Sequence, residues 1–221
     1  MPQLPFTPEQ FLAVFAAWNQ AIWPAQVLAY ALGLLALGLC FSRRAWAGRL
    51  VGAILAVLWL GNGLGYHMAF FTAINPAAWI FGSLFVLQGL LFLGLGALAG
   101  RISFAPRRDL AGVCGGVFVV YALVVYPLLG AWWGHGWPHS PLFGVAPCPT
   151  TIFTFGILLW SAPGMPRSLL AIPLVWSLIG FFAALNLGIS EDLGLMIAGV
   201  LGTVLLLPRR EAGERLPQAG G

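Results

Sequence analysis

The chain has 221 residues, of which 60% are hydrophobic and only 7% are charged. Soluble domains carry about 25% charged residues, so this composition and a mean hydropathy of +0.93 exclude an ordinary water-soluble domain and predict a single membrane domain. The net charge of +4 comes from ten arginines, without any lysine, that lie beside apolar runs. Such a distribution is typical of membrane edges and excludes a basic nucleic-acid-binding surface.

Residues 1–21 predict a short amphipathic helix that lies on the outer membrane surface. Thr7 and Gln10 match a capping box, and Pro8 suits the first helical turn. Apolar side chains recur at helical spacing at Phe11, Leu12, Phe15 and Trp18. The segment has no positively charged region of the kind that opens a signal peptide, so we do not expect it to be cleaved.

Seven apolar segments follow, and each is a candidate membrane helix because a crossing needs about 20 mostly apolar residues. They lie at roughly 22–41, 50–73, 77–99, 110–132, 149–163, 168–188 and 192–207, and the fifth and seventh are short for a crossing. We therefore predict an all-α fold, a polytopic transmembrane helix bundle of about seven spans that forms one domain over residues 22–207. Residues 208–221 are predicted to be a disordered cytoplasmic tail.

The arginines follow only the odd-numbered segments. They are Arg43, Arg44 and Arg49 after the first, Arg101, Arg107 and Arg108 after the third, Arg167 after the fifth, and Arg209, Arg210 and Arg215 after the seventh. The positive-inside rule places these loops in the cytoplasm, with the N-terminus outside and the C-terminus inside. We accordingly predict a multi-pass protein of a bacterial inner membrane whose surroundings are the lipid bilayer.

This topology gathers the residues that bind metals on the outer side. They are His67, His135, His139, Cys148, Glu191 and Asp192. Imidazole, thiolate and carboxylate form the usual ligand set of zinc, so these six residues are candidate ligands of a divalent metal such as zinc. Their spacing matches no zinc motif, since "HGWPH" lacks the glutamate of HExxH and the cysteine stands outside any CxxC pair.

Each candidate also has a structural explanation. His67 would hydrogen-bond a neighbouring helix, and a histidine within a membrane segment is costly unless it has such a partner or a function. Glu191 and Asp192 would complement the dipole at the start of the seventh segment. The two loop histidines lie among tryptophans, as interfacial residues do, and Cys148 would pack as a small apolar residue.

The stretch "SPLFGVAPCP" before the fifth segment is apolar and rich in proline. We expect a non-helical segment that dips into the bundle, which the membrane tolerates only where protein or a water-filled cavity covers the backbone. Broken helices of this type often border ligand sites. Polar residues within the segments, such as Asn62, Tyr66, Gln88 and Tyr126, are interpreted as joining helices.

At "NGLGYHMAFFTAINPAAWIFG", "SPLFGVAPCPTTIFTFG" and "EDLGL" the sequence resembles a family of bacterial multi-span membrane proteins known only as a domain of unknown function. The resemblance covers most of the chain and implies an inner-membrane location, but no activity. A seven-span arrangement with an outer N-terminus also resembles the membrane zinc hydrolases related to alkaline ceramidases. That likeness is architectural, since their late HxxxH pair is missing here.

Four functional hypotheses remain open. The first is a binding or sensing protein with an outward-facing site for a metal ion or a small polar molecule. The second is a metal-dependent membrane enzyme that uses the same residues. The third is a passive pore or transporter component, although the lack of charged groups near the middle of the segments disfavours coupled transport. The fourth is a structural or assembly protein, for which the abundant glycines and short loops are suited.

Overall fold

The computed structural model of the protein describes residues 5–207, which form helices and no β-strand. The predicted tail at 208–221 lies outside the described residues. The α-helices are α1 (Pro8–Ala21), α2 (Ala25–Cys40), α3 (Ala47–Leu60), α4 (Ala78–Leu91), α5 (Leu110–Val120), α6 (Tyr126–Trp132), α7 (Pro147–Leu158), α8 (Ser168–Leu187) and α9 (Leu193–Leu206). The predicted all-helical fold is thus confirmed.

Three of these helices continue as π-helix, which the apolar pattern does not predict. Helix α3 runs on through Gly61–Phe70 and a 3-10 turn at Phe71–Ala73, and α4 runs on through Phe92–Leu98. A third π-helical segment, Tyr121–Val125, joins α5 to α6. π-Helical turns inside α-helices are frequent at functional sites, and the first of these segments carries His67.

Four continuous helices are long and apolar enough to cross a membrane. They are Ala47–Ala73, Ala78–Leu98, Leu110–Trp132 and Ser168–Leu187. Helices α1 and α2 meet at an angle of 88° and give a fifth crossing if the pair is one span, whereas α7 is short. Helices occupy all seven predicted segments, but four or five apolar spans are what their lengths support, and the number of seven stays a prediction.

The capping box predicted for α1 is present. The Thr7 amide donates to Gln10 Oε1 at 2.9 Å, and the Gln10 amide donates to Thr7 Oγ1 at 3.3 Å. Phe15 and Trp18 of this helix are buried against the bundle. The apolar face of α1 therefore packs on the protein itself, and its location at a membrane surface remains a prediction.

Helix α7 lies at the centre of the bundle, where all of its residues are buried and it packs against α3, α5, α8 and α9. The segment before it is non-helical and buried, as predicted, and α7 begins at Pro147, two residues before the predicted start. Side chains supply hydrogen bonds to backbone carbonyls that have no helical partner in this segment. Trp18 Nε1 donates to Val145 O at 2.8 Å, and Asn62 Nδ2 donates to Gly144 O at 3.0 Å. A φ of +80° at Gly144 allows the sharp turn.

The arginine-bearing segments meet at one end of the bundle. Arg49 at the start of α3 donates to the carbonyls of Ala97 and Leu98, where the α4 span ends. The Arg167 guanidinium before α8 donates to Leu207 O at 2.8 Å, just after α9. Backbone hydrogen bonds also join residues 103–105 to residues 160–162. Chain segments that are far apart in sequence thus form one arginine-rich end.

Candidate functional site

A cavity of about 380 Å³ lies at the opposite end of the bundle. Its walls come from α1, the π-helical end of the α3 span, the middle and end of α8, the start of α7 and the turn before α9. The volume is in the range of about 300–1,000 Å³ that small-molecule sites occupy. We therefore take this cavity as the candidate site.

Nearly half of the residues that line the cavity are aromatic. The rings include Phe6, Phe11, Phe15, Phe71, Phe81 and Trp176. Helix α1 contributes Phe11 and Phe15, and the Phe15 ring stacks on Tyr66 with 4.6 Å between the ring centroids. Because α1 crosses this end of the bundle at a steep angle to α2, its aromatic side chains close one side of the cavity.

The polar part of the wall centres on Asp192. The Tyr126 hydroxyl donates to Asp192 Oδ1 at 2.5 Å, and the Cys148 thiol also hydrogen-bonds this carboxyl group. Asp192 lies in the 3-10 turn Ser190–Asp192 between α8 and α9, outside the four helices that are long and apolar enough to cross a membrane. Burial raises the pKa of the Asp192 carboxyl to about 7, although the hydrogen bond from Tyr126 opposes this rise.

His67 is completely buried at the cavity, and neither of its ring nitrogens has a hydrogen-bond partner among the described residues. Its ring lies 5.0 Å from Trp176 and 4.8 Å from Phe85 between centroids. The Tyr66 hydroxyl is likewise buried without a hydrogen-bond partner, whereas the Trp176 indole hydrogen-bonds the Cys148 thiol. Two neighbouring side chains at the cavity, His67 and Tyr66, therefore present unused hydrogen-bonding capacity.

Glu191 and the two loop histidines, His135 and His139, do not line the cavity. Glu191 is wholly buried, and its Oε1 is 3.3 Å from His135 Nδ1 in the loop after α6. The Tyr121 hydroxyl donates to the Glu191 backbone carbonyl at 2.7 Å. His139 is exposed on the same loop. The turn before α9 thus sends its two acidic side chains to different neighbours.

Of the six predicted metal ligands, three line the cavity, namely His67, Cys148 and Asp192. Over residues 5–207 there is no group of three or more histidine, cysteine, aspartate or glutamate side chains that could hold a metal ion. The predicted zinc site is therefore not supported. The physical reason is that the turn at Glu191 separates the carboxylates, while the His67 ring is held among aromatic rings.

Asn62 and Gln88, deep in the helices, join chain segments as the sequence indicated, whereas the Tyr66 hydroxyl has no hydrogen-bond partner among the described residues. Asn62 donates to the carbonyls of Leu58 and Gly144, and Gln88 Nε2 donates to Leu169 O at 3.1 Å between α4 and α8. Both side chains are fully buried. Their donors are therefore engaged in helix contacts and do not face a continuous polar path.

Trp176 is a site residue that no motif in the sequence indicated. Tryptophan in membrane proteins is enriched at the interfaces, whereas Trp176 lies in the middle of α8 and is buried against His67 and Phe81. The one indication in the sequence was its position in the middle of an apolar segment, away from the segment ends. The pairing of Glu191 with His135 had no signal, because the two residues are far apart in the chain.

The sequence has a match among protein-family models over residues 8–215, to a family described as a family of unknown function, DUF6064. It has no significant match among the curated proteins or among the solved structures. The match covers nearly the whole chain, including every residue of the cavity except Phe6. The chain therefore belongs to the DUF6064 family of unknown function.

Proposed function

We propose that this protein is a membrane-embedded binding protein whose cavity holds a small amphiphilic ligand. The ligand has an apolar body that packs against the aromatic wall and a head group that hydrogen-bonds His67 or Tyr66. The apolar character of the wall favours such a molecule over the small polar molecule expected from the sequence. Neither metal-dependent catalysis nor a pore has a comparable supporting observation.

The observation that carries this proposal is the unpaired His67 ring. A buried polar group without a hydrogen-bond partner costs about 1–3 kcal/mol, and the large majority of buried polar atoms in proteins have partners. His67 has two such atoms next to the cavity, and the Tyr66 hydroxyl adds a third. A ligand that supplies these partners would recover the cost.

A photoactivatable long-chain alcohol tests the binding proposal. The purified full-length protein is reconstituted in lipid nanodiscs, irradiated with a diazirine derivative of the alcohol, and mapped by mass spectrometry. We expect cross-links at cavity residues such as Trp176 and Tyr66. Cross-links confined to the exposed lipid-facing side chains, for example Leu178 or Leu185, would contradict the proposal.

A matched pair of substitutions in α8 controls for probe that is merely dissolved in lipid. Ala183 lines the cavity, whereas Leu185 is exposed and does not. Ala183→Trp fills the cavity and should abolish cross-linking there. Leu185→Trp adds a similar bulk outside and should leave it unchanged. Equal effects of both substitutions would also argue against a cavity site.

We further propose that the protein spans a bacterial inner membrane about seven times, with the cavity end and the N-terminus outside and the arginine-rich end in the cytoplasm. The separation of the arginine-bearing loops from the cavity supports this orientation under the positive-inside rule. Reporters that work in only one compartment, fused in turn to each terminus, test it. We expect opposite compartments for the two ends, and a shared compartment would exclude an odd number of crossings.

A further inference from the structure

We infer that the ligand of this cavity is a lipophilic organic cation, a protonated amine with apolar substituents, whose charge is held by Asp192 and the aromatic rings. This inference rests on the proposed binding function and specifies its ligand. It starts from the distribution of charge around the cavity.

Asp192 has no cationic partner at the cavity. No arginine occurs among the described residues that line the cavity. The contacts of Arg49 and Arg167 lie at the other end of the bundle. The groups that hydrogen-bond the carboxyl are the neutral Tyr126 hydroxyl and Cys148 thiol. His67 has no hydrogen-bond partner, so it does not pair with Asp192. A buried carboxylate without a counter-ion is costly, so burial alone favours the neutral acid. A cationic ligand would supply the counter-ion that stabilises the carboxylate.

The aromatic wall suits the same ligand. A cation near the face of tryptophan, tyrosine or phenylalanine is attracted by the ring quadrupole, and cages of such rings are used to bind quaternary ammonium groups. Trp176 packs edge-on against His67, Phe81 and Phe85 with centroids 5.0–5.5 Å apart. Tyr66 stacks on Phe15 and Phe71 nearby. One cavity therefore combines a carboxylate with a dense group of rings.

The start of α7 does not offer the alternative, an anion site. Anions bind helix N-termini through free backbone N–H groups, but Pro147 and Pro149 in the first turn have none. The Thr150 amide is directed to the Ala146 carbonyl at 3.4 Å. The cavity end of α7 is thus poor in donors for an anion, which leaves Asp192 as the main electrostatic feature.

Competition between two isosteric probes tests the inference. N,N-dimethylbenzylammonium and its neutral carbon isostere, isobutylbenzene, are compared as competitors of the photoactivatable alcohol. Both are titrated over the same range of free concentrations against the full-length protein in nanodiscs. We expect the cation to displace the alcohol at a concentration about tenfold lower, as a desolvated cation–π contact and a counter-ion would give. Equal potency, or a more potent neutral compound, would overturn the inference.

Variants identify the groups that hold the charge. Asp192→Asn retains an acceptor for the Tyr126 hydroxyl and should remove the preference for the cation, whereas Asp192→Glu should retain it. Trp176→Leu provides a second route should Asp192→Asn fail to fold, and it should reduce the preference while leaving the neutral compound bound. A preference that survives both substitutions would overturn the inference.

The outcomes separate the two proposals. If the alcohol cross-links the cavity but the cation does not compete better than its isostere, the inference fails and the binding function stands. If the alcohol does not cross-link the cavity and neither compound stabilises the protein against thermal unfolding, the binding function fails as well.

Discussion

The hydroxyl of Tyr126 donates a 2.5 Å hydrogen bond to Oδ1 of Asp192 and thereby joins the start of α6 to the turn before α9. Both side chains are almost completely buried. The bond fixes the direction of the carboxyl group that gives the cavity its charge. It also links two helices that are more than sixty residues apart in the chain.

Replacement of Tyr126 by phenylalanine should destabilise the protein by about 1–3 kcal/mol, because it removes a hydrogen bond to a buried carboxyl group and leaves that group less satisfied. The measurement is the free energy of unfolding in detergent, followed by helix content. Tyr30→Phe is a suitable control, since Tyr30 is only partly buried and its hydroxyl hydrogen-bonds the Phe143 backbone, not a carboxyl group. An equal loss of unfolding free energy in both variants would show that the hydrogen bond to Asp192 stabilises the protein no more than the Tyr30 hydroxyl does.

The contact between His135 and Glu191 predicts a difference between the two loop histidines. His135→Ala leaves the wholly buried Glu191 side chain without its histidine partner and should cost about 1–3 kcal/mol. His139→Ala changes an exposed residue and should lie within about 0.5 kcal/mol of the native protein. Thermal unfolding of both variants at the same pH provides the comparison, and indistinguishable transitions would refute the structural role of His135.

The raised pKa of Asp192 predicts that the stability of the protein depends on pH. This pKa rises on folding from the ordinary value of 3.8 to about 7, because burial favours the neutral acid. Between these values the folded state binds a proton that the unfolded state has lost, so this group makes stability fall as the pH rises from about 4 to about 7. The titratable groups around it are Tyr126, Cys148, Tyr121, Tyr66 and Glu191 with its partner His135.

The measurement is the difference in unfolding free energy between the native protein and Asp192→Asn across this pH range. Subtraction removes the contributions of the other carboxyl groups, which are common to both proteins. The difference should change with pH in favour of the variant as the pH rises. A difference that stays constant from pH 4 to pH 7 would show that Asp192 does not titrate in this window.

The hydrogen bonds of Asn19 hold α1 against the loop before α7. The Asn19 amide donates to the carbonyls of Pro138 at 2.7 Å and Ser140 at 2.8 Å, and the residue is fully buried. Asn19→Ala should therefore loosen α1 and increase amide hydrogen exchange in Pro8–Ala21, whereas Gln20→Ala, at an exposed position, should not. Unchanged exchange in both variants would mean that other contacts hold α1.

The capping box of α1, the seven helical segments and the buried non-helical stretch before α7 were predictable from the sequence. These features depend on local properties, namely side-chain spacing, prolines and the length of apolar runs. The site was only partly predictable. His67, Cys148 and Asp192 were selected for their chemistry and do meet at one cavity, but the metal chemistry assigned to them is not supported, and Trp176 was not selected.

The sequence by itself determined that the chain forms apolar helices and that its arginines and its histidines fall in different loops, because these properties belong to single segments. Only the tertiary structure decided that Asp192 faces Tyr126 while Glu191 faces His135, and that α1 closes the cavity with its phenylalanines. Adjacent residues in a turn are directed to different neighbours by the packing of the helices around them. That packing depends on contacts between residues far apart in the chain, which a local pattern does not encode.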